Sequence, residues 1–461
     1  MKLFAALLLF PLAVMGDDFA HQTLPNDNSG TTLTKFAFGS CWKNGRKQSH
    51  WEPIISNQPQ FWLWLGDNIY GDTSDMVKLK EKWAELGATV GYQKLVKTCP
   101  VLATWDDHDY GKNDAGNDFA PRAESQKIFL DFFNERKNSA RRARPGVYTS
   151  YYFGPTDKRV QLILLDTRYF RTPLKRIEGK PPYRRMGKWK PDTSPAATIL
   201  GDAQWKWLEE ELKKPARIRL IGTSIQFVAP HNGYETWANI PAEKQRMISL
   251  IKQTKAEGVV FLSGDIHSSE LCIEEPDGVY PLIDFTSSSL NVPLGAAPTH
   301  RRTGPAFGGS NFGLVEIEWS ADPVIKVSTK DTKNKNRLHH QIKLSELSFS
   351  NTVDTSKPAD FIGEWQTFYG PMTITSGDNG RYHAKCADRK AVLTLKGKEL
   401  VGTWNGENQQ GNVTFKLSRD ARFLYGSYSY DDLPQQLDWA GWKAAWETHF
   451  TRDDYHKRKK K

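Results

Sequence analysis

The chain has 461 residues, a formal net charge of +10 and an isoelectric point of about 9.1, and 38% of its residues are hydrophobic. This is the composition of a globular protein rather than of a disordered chain, and the length exceeds that of one typical core, so we expect two domains. The basic balance suits an anionic substrate, a nucleic acid or an anionic surface.

The first 16 residues, MKLFAALLLFPLAVMG, have the pattern of a secretory signal peptide. One lysine precedes an apolar run from Leu3 to Val14, and we expect cleavage near Gly16. The run is too short for a stable membrane anchor, no cysteine follows it to carry a lipid, and no other stretch is long and apolar enough for a membrane helix. The sequence therefore predicts a secreted or periplasmic protein without a transmembrane anchor.

Beyond the signal, short apolar strands alternate with amphipathic helices, which is typical of an α/β fold. In chain order, we predict strands at Lys35–Cys41, Phe61–Leu65, Val101–Trp105, Tyr148–Phe153, Arg159–Asp166, Ile218–Gly222, Val259–Ser263, Tyr280–Phe285, Phe312–Trp319, Pro323–Lys330 and His339–Leu347. Helices are predicted at Trp51–Asn57, Asp75–Gly87, Tyr92–Lys97, Pro121–Lys137, Asp202–Lys213 and Pro241–Ala256.

Four of the predicted strands end in polar residues, where ligands bind in open α/β sheets. The tips read Gly39-Ser40-Cys41, Gly66-Asp67-Asn68-Ile69-Tyr70, Asp106-Asp107-His108-Asp109 and Gly264-Asp265-Ile266-His267. Each tip alone also fits an ordinary turn, and a free cysteine is usually a small buried hydrophobe. Three aspartates around His108 cannot all be buried without cations, however, so a metal site is favoured over a solvated acidic turn.

A loop from Arg168 to Lys190 is rich in Arg and Lys and has Glu178 as its one acidic residue. It is either a solvated loop or a rim that attracts phosphate.

The pattern of apolar and polar residues changes after a polar stretch, Ser348–Lys357, which we interpret as a linker. An apolar-x-Gly-x-aromatic pattern then recurs around Gly363, Gly402 and Gly426, which predicts a small antiparallel β domain over residues 358–450. We expect its Trp365 and Trp404 to be packed, whereas exposed tryptophans would support glycan binding. Residues 451–461 are predicted to be a solvated basic tail.

The strand tips, together with Leu165-Asp166-Thr167-Arg168 and the stretch WANIPAEKQ at 237–245, resemble the alkaline phosphatase D (PhoD-like) family of the metallophosphoesterase superfamily. The resemblance spans residues 34–345 and implies a catalytic domain over residues 33–347. Its implied fold is α/β, a metallophosphoesterase-like αββα sandwich followed here by the small all-β domain. Two departures stand out: family members commonly carry a β-sandwich before the catalytic domain, and they often read Glu-Val-x-Asn-Asn-Trp where this chain reads Asp109-Tyr-Gly-Lys-Asn113-Asp114.

The resemblance also implies roles for the tip residues. Cys41 and Tyr70 would bind Fe³⁺, and His267 would complete that site; Asp107, Asp265 and Asn113 would bind Ca²⁺ or another divalent metal, and Asp67 would bridge the two. His108, oriented by Asp109, is expected to protonate the leaving group or stabilise the phosphoryl oxygens. Arg168 is expected to clamp phosphate, with a buried structural pair with Asp166 as the alternative.

The predicted function is a secreted metal-dependent phosphatase that hydrolyses phosphomonoesters, phosphodiesters or both by attack of a metal-activated hydroxide. The alternative is a catalytically inactive protein that binds envelope or glycan through its β domain. Specific nucleic-acid binding would rest on charge alone and is not expected.

The four cysteines, Cys41, Cys99, Cys272 and Cys386, are too few for a disulfide framework in a chain of this length. If Cys41 binds a metal, at most one bridge remains.

Overall fold

The structure is a computed structural model that describes residues 20–179, 187–294, 306–351, 360–367, 370–407, 409–417, 423–430, 433–438 and 441–443. The predicted signal peptide, the basic tail, most of the predicted linker and part of the basic loop lie outside these residues. Among the described helices, none is long and apolar enough to cross a membrane.

The described part up to residue 351 is a mixed α/β structure. Its strands are β1 (Asp27–Asn28), β2 (Lys35–Gly39), β3 (Trp62–Leu65), β4 (Val101–Thr104), β5 (Thr149–Phe153), β6 (Val160–Leu164), β7 (Lys175–Arg176), β8 (Trp189–Lys190), β9 (Ile218–Thr223), β10 (Val259–Ser263), β11 (Ser269–Glu274), β12 (Leu282–Ser287), β13 (Asn311–Glu318), β14 (Val324–Asp331) and β15 (Asn336–Lys343). Its helices are α1 (Trp51–Ser56), α2 (Met76–Gly87), α3 (Val90–Thr98), α4 (Asp107–Tyr110), α5 (Arg122–Phe132), α6 (Ala140–Ala143), α7 (Gly201–Lys213) and α8 (Pro241–Thr254). Short 3₁₀ turns lie at Thr156–Lys158, Trp237–Asn239 and Leu344–Leu347.

Each predicted strand and helix of this part overlaps an observed element, whereas β1, β7, β8, β11, α4 and α6 were not predicted. The last predicted strand, His339–Leu347, is instead β15 followed by the turn Leu344–Leu347. Strand β11 was not expected, because its sequence, SELCIE, mixes polar and apolar residues and follows a site loop without a clear turn signal.

Two larger sheets organise this part. One has the strand order β1-β5-β6-β9-β10-β12-β11, and the other has the order β15-β14-β13-β2-β3-β4. Strands β6, β9, β10 and β12 run parallel in the first sheet, and β2, β3 and β4 run parallel in the second. The carboxyl ends of β2, β3, β4 and β10, which carry the predicted site residues, therefore lie at the ends of two short parallel arrays.

The alternation of side chains along β2 and β3 explains the packing. Phe36, Phe38, Leu63 and Leu65 belong to an apolar core that also contains residues of the first sheet and of α7 and α8. The intervening Trp62 and Trp64 belong to a second core, shared with residues of α1, α2, α3 and α5. One face of the second sheet thus packs with the first sheet and the other face packs with helices, as the two-residue period of a strand requires.

The C-terminal strands close on themselves. They are β16 (Gly363–Thr367), β17 (Gly370–Ser376), β18 (Arg381–Cys386), β19 (Arg389–Lys396), β20 (Glu399–Asn405), β21 (Gln410–Leu417), β22 (Phe423–Tyr430), β23 (Leu433–Asp438) and β24 (Gly441–Lys443), with a 3₁₀ turn at Asp378–Gly380. Their pairing runs β21-β20-β19-β18-β17-β16-β24-β22-β23, and β21 also pairs with β22. That pairing closes a barrel of antiparallel strands from which β23 alone extends, among the described residues.

The barrel has its own core, to which 15 buried residues belong among those that the structure describes. Trp365 is fully buried and Trp404 is 2% exposed, so the prediction that both are packed is confirmed. All four cysteines are buried, and each is a thiol outside any disulfide.

Candidate metal centre

The tips of β2, β3 and β10 converge although they are far apart in sequence. The thiol of Cys41 lies 3.2 Å from Asp67 Oδ2 and 3.5 Å from the Asp265 carbonyl oxygen. Cys41 and Asp67 are fully buried, and Asp265 is half-buried. Residues separated by more than 200 positions therefore share one small space.

The backbone at this convergence is strained. Cys41, Asp67, Asp265 and His267 all have left-handed φ values, of 59°, 50°, 68° and 56°. L-residues rarely adopt this conformation, which costs of order 1–3 kcal/mol per residue and concentrates at functional sites. The four residues are thus held by their surroundings with their side chains directed into a common region.

Two glycines allow the tips to approach this closely. A Cβ at Gly66 would lie 2.4 Å from the Asp106 Cβ, and one at Gly264 would lie 2.6 Å from Ser40 Oγ. No side chain fits at such distances, and Gly66 also has a φ of +91°.

Tyr70 and His267 extend the same group. Tyr70 Oη lies 3.3 Å from Asp67 Oδ2 and 3.3 Å from His267 Nε2. His267 Nδ1 lies 2.6 Å from the Val292 carbonyl oxygen, which makes Nδ1 the donor and leaves Nε2 with a free electron pair. Ser288 Oγ accepts the His267 backbone N–H at 2.9 Å and lies 3.0 Å from Cys41 Sγ, so it ties these two residues together.

Asp107 stands on the other side of Asp67, in the first turn of α4. Its Oδ2 accepts the Asp114 backbone N–H at 2.6 Å, and its Oδ1 is buried without a hydrogen-bond partner in the protein. Asp67 Oδ1 is likewise buried and unpartnered. Burying such acceptors unsatisfied is costly, so both oxygens are placed to bind something that the polypeptide does not supply.

The expectation that Asp109 orients His108 is wrong in this structure. Asp109 is fully buried and accepts hydrogen bonds from Asn68 Nδ2 at 2.5 Å and from the Asp106 backbone N–H at 2.6 Å, so it caps α4. His108 Nδ1 instead lies 2.6 Å from Asp72 Oδ1. The His108 ring also packs on Tyr70, with the ring centroids 4.1 Å apart.

Arg168 is also corrected. Its guanidinium is fully buried, with Nε 2.6 Å from Asp106 Oδ1 and Nη1 2.7 Å from Glu235 Oε1. It therefore neither faces a substrate nor pairs through its side chain with Asp166, whose Oδ1 accepts the backbone N–H of Arg168 rather than its guanidinium. Its charge lies beneath the acidic cluster and offsets part of it.

Asn113, expected as a ligand, has an exposed side chain. The next residue, Asp114, is half-buried and has a carboxylate oxygen within 4.8 Å of those of Asp107 and Glu235. The structure thus brings Asp114 rather than Asn113 towards the centre, and Lys188 pairs with Asp114 at 2.6 Å.

The site concentrates negative charge in a buried place. Burial raises the pKa of Asp67, Asp265 and the Cys41 thiol well above their ordinary values, and neighbouring acids add to each shift. Burial opposes ionisation of Asp107 too, but His108 and Arg168 lower its pKa to about 2. Burial alone would lower the pKa of His108, yet Asp67, Asp107 and Asp72 raise it to about 11.

Donor atoms of the right kinds for metals lie within 4.8 Å of one another in overlapping groups. One contains Cys41, Asp67 and His267, a second contains Asp67, Asp107 and His108, and a third contains Asp106, Asp107 and Asp265. Because Asp67 and Asp107 are each shared, the groups form a continuous chain of ligands. This chain, the buried oxygens of Asp67, Asp106 and Asp107 that lack hydrogen-bond partners, and the raised pKa values fit bound cations, which would offset the charge.

Sequence reasoning did not assign roles to Asp72 and Ser288. Asp72 closes the motif that begins at Phe61, six residues after Gly66, and its proximity to His108 depends on a hydrogen bond from the Gly71 N–H to the His108 carbonyl oxygen. Ser288 follows β12 and has no motif around it that distinguishes it from its serine neighbours.

Comparison with known proteins identifies the family to which the chain belongs. The family model described as PhoD-like phosphatase matches residues 35–305. The chain belongs to the PhoD-like phosphatase family. The family resemblance predicted from the strand-tip motifs is therefore confirmed.

Two relatives of this PhoD-like chain are informative. Alkaline phosphatase D of Bacillus subtilis (strain 168) is 23% identical over 298 residues, which cover 54% of this chain and 48% of that protein. The match thus spans about half the length of the curated relative. A solved structure of PhoD is 18% identical, covers 70% of this chain and 72% of its own, and superposes with a TM-score of 0.57, which supports a common fold.

Proposed function

We propose that this protein is a secreted, metal-dependent phosphoric ester hydrolase that acts on phosphomonoesters, phosphodiesters or both. The observation that carries the proposal is the chain of buried donors that joins Cys41, Asp67 and Asp107 at the tips of three strands. Membership of the PhoD-like phosphatase family and the 23% identity to an alkaline phosphatase D point to the same chemistry.

The donor chemistry suggests two different cations. Cys41, Tyr70 and His267 offer a thiolate, a phenolate and an imidazole, a set that suits Fe³⁺. Asp107 and Asp265 offer hard carboxylates that suit Ca²⁺ or another divalent metal, with Asp114 favoured over Asn113 as their neighbour. Asp67 lies between the two sets and is proposed as the bridge. When bound, such a pair of metals polarises the phosphoryl group and supplies a strong nucleophile at neutral pH.

His108 is the residue that we propose for proton transfer to the leaving group. Its side chain is 14% exposed, so a substrate can reach it, and its Nδ1 is occupied by Asp72. That hydrogen bond fixes the ring and leaves Nε2 as the position that carries a proton to or from the substrate. Asp72 is thus a positioning residue, whereas Asp109 supports the α4 turn.

The same family placement suggests the organisation of the whole chain. We propose an αββα catalytic domain over residues 33–347, a linker over 348–357 and a β domain over 358–450, following a signal peptide that directs export. The separate apolar core of the C-terminal barrel supports this division. The alternative function, glycan binding by an inactive protein, is disfavoured because Trp365 and Trp404 are buried and offer no sugar platform.

The test is hydrolysis of p-nitrophenyl phosphate and bis(p-nitrophenyl) phosphate by purified protein, before and after removal of metals by a chelator. We expect activity on at least one ester, its loss on chelation and its return when iron and calcium are restored. Absence of hydrolysis of both esters by protein that retains its metals would overturn the proposed function.

A further inference from the structure

A cleft of about 650 Å³ opens beside the metal centre. One wall follows the segment 291–294, whose Asn291 N–H bonds to the Cys41 carbonyl oxygen and whose Leu294 N–H bonds to that of His267. The cleft therefore borders the centre on the side of Cys41 and His267. Its lining residues are Gly45, Arg46, Lys47, Ser49, Asn291, Pro293, Ser310 and Thr332.

The loop that carries the basic wall of this cleft is held in place. Asn291 accepts the Lys43 N–H at 2.8 Å and donates to the Lys43 carbonyl oxygen at 2.9 Å. Gln48 accepts from the indoles of Trp42 and Trp51, at 2.7 and 2.9 Å, and donates to the Arg46 carbonyl oxygen. Because both ends of the loop are anchored to buried groups, binding an anion here does not require ordering of the loop backbone.

The charge of the cleft is positive and uncompensated. Its lining contains Arg46 and Lys47 and no carboxylate, and neither cation forms an ion pair within the described part of the chain. Outside the cleft lining, the Lys43 ammonium lies 5.2 Å from the centre of the Tyr70 ring. The nearby carboxylate of Asp331 is already paired with Arg337.

The cleft is also adjacent to the centre. Its lining residue Pro293 follows Val292, whose carbonyl oxygen lies 2.6 Å from Nδ1 of the candidate ligand His267. A substrate bound at the centre can therefore extend into the cleft.

We propose that this cleft is an anion subsite that binds a second phosphate of the substrate, beyond the phosphate that is hydrolysed. The proposal rests on the proposed function, and it adds a substrate class: esters that carry at least one further phosphate group. Arg46 can form paired hydrogen bonds to phosphate oxygens, Lys47 adds a point charge, and the hydroxyls of Ser49, Ser310 and Thr332 are further donors.

The experiment compares two chromogenic diesters that differ by one phosphate. Thymidine 5′-(p-nitrophenyl phosphate) and its 3′-phosphorylated counterpart release the same p-nitrophenolate from the same scissile diester. The ratio of their kcat/KM values is measured at low ionic strength for wild type, Arg46→Ala/Lys47→Ala and Arg46→Lys. The control is Lys78→Ala/Lys80→Ala, which removes the same charge from exposed positions on α2.

Binding of the reaction products provides a second measurement of the preference for the extra phosphate, and it does not require catalysis. Calorimetric dissociation constants are measured for thymidine 5′-phosphate and thymidine 3′,5′-bisphosphate with the same four proteins. In wild type, both readings favour the extra phosphate by roughly 10-fold, about the strength of one charge-assisted hydrogen bond at a partly exposed site.

We expect Arg46→Ala/Lys47→Ala to remove most of this preference while changing kcat/KM for the ester without the 3′-phosphate less than about 2-fold. Arg46→Lys keeps much of the preference, and the control keeps all of it. An unchanged preference in the double alanine variant, or an equal loss in the control, overturns the subsite. If neither diester nor a monoester is hydrolysed but the binding preference follows Arg46 and Lys47, the subsite stands and the proposed function fails.

Discussion

The strand-tip centre and the C-terminal barrel follow opposite rules of construction. In the barrel, buried and exposed residues alternate along strands such as β19 and β21, and bulky apolar side chains fill one core. At the centre, titratable residues are buried together, four residues have left-handed backbone, and three carboxylate oxygens, of Asp67, Asp106 and Asp107, lack partners. The packing of the barrel stabilises the fold. The buried charges and strained backbone of the centre destabilise it, unless a bound ligand offsets their cost.

The strongest test of this contrast is the substitution Asp67→Asn. The amide keeps the size of the side chain but removes the charge that bridges the two donor sets. We expect kcat to fall by roughly 10⁴-fold or more, since metal ions contribute several kcal/mol to such reactions and each 1.36 kcal/mol is tenfold. The measurement is steady-state hydrolysis of an aryl phosphate, together with the metal content of the variant.

The matched control is Asp157→Asn, at an exposed position far from the tips. It should retain wild-type activity. If Asp67→Asn stays active within tenfold and keeps its metals, the bridging role is wrong.

A smaller effect is expected at the acid–base residue. His108→Ala should lower kcat by roughly 10²- to 10⁴-fold on an alkyl phosphate, the usual range for lost proton transfer, and by less on an aryl phosphate, whose leaving group needs no proton. Equal losses on both esters would indicate stabilisation of the phosphoryl group instead.

Asp72 and Asp109 separate positioning from structural support. Asp72→Asn should lower kcat by roughly 10-fold and alter the pH profile of the alkyl ester without a change in the melting temperature. Asp109→Asn, which weakens the α4 cap, should lower the melting temperature and leave the shape of the pH profile unchanged. The reverse pattern would restore Asp109 as the partner of His108.

Removal of the barrel should have little effect on chemistry. The candidate ligands and His108 all precede residue 268, and the barrel has its own core. We expect residues 17–350 to bind metals and to hydrolyse a small phosphate ester within about 2-fold of the full chain. The contact of Tyr425 with the first core leaves an apolar surface, so solubility is the property expected to suffer. A truncated protein that binds metal but cannot turn over a small ester would show that the barrel completes the site.

The smallest effect concerns acid stability. Burial lowers the pKa of His50 to about 3, whereas the unfolded chain takes up the proton below about pH 6.5. The unfolded state therefore binds more protons between pH 3 and 6.5, and the free energy of unfolding falls as the pH drops through that window, by at most about 1.4 kcal/mol per pH unit. His50→Leu should flatten this slope in denaturant titrations at pH 4, 5 and 7.

The matched control is His383→Leu, at an exposed position of the barrel. If the free energy of unfolding of His50→Leu depends on pH as strongly as that of wild type, groups other than His50 cause the dependence.

The two regions also differ in what could be predicted. Periodicity located the strands and the packed Trp365 and Trp404, because burial along a strand is a local property of the sequence. The strand tips could be grouped for the same reason, since parallel strands end at one edge of a sheet. The partners of His108 and Arg168 were missed because they are Asp72, Asp106 and Glu235, which the fold brings from other loops and which no spacing in the sequence relates.

The most direct measurement is the metal content of full-length protein purified without added metal, read by mass spectrometry alongside hydrolysis of p-nitrophenyl phosphate and bis(p-nitrophenyl) phosphate. The account predicts about two metal ions per chain, with iron among them, and a visible absorption band from the Cys41 and Tyr70 ligands that Tyr70→Phe shifts or bleaches. If metal-free protein hydrolyses either ester as fast as the metal-containing protein, hydrolysis does not depend on metal and the account is contradicted.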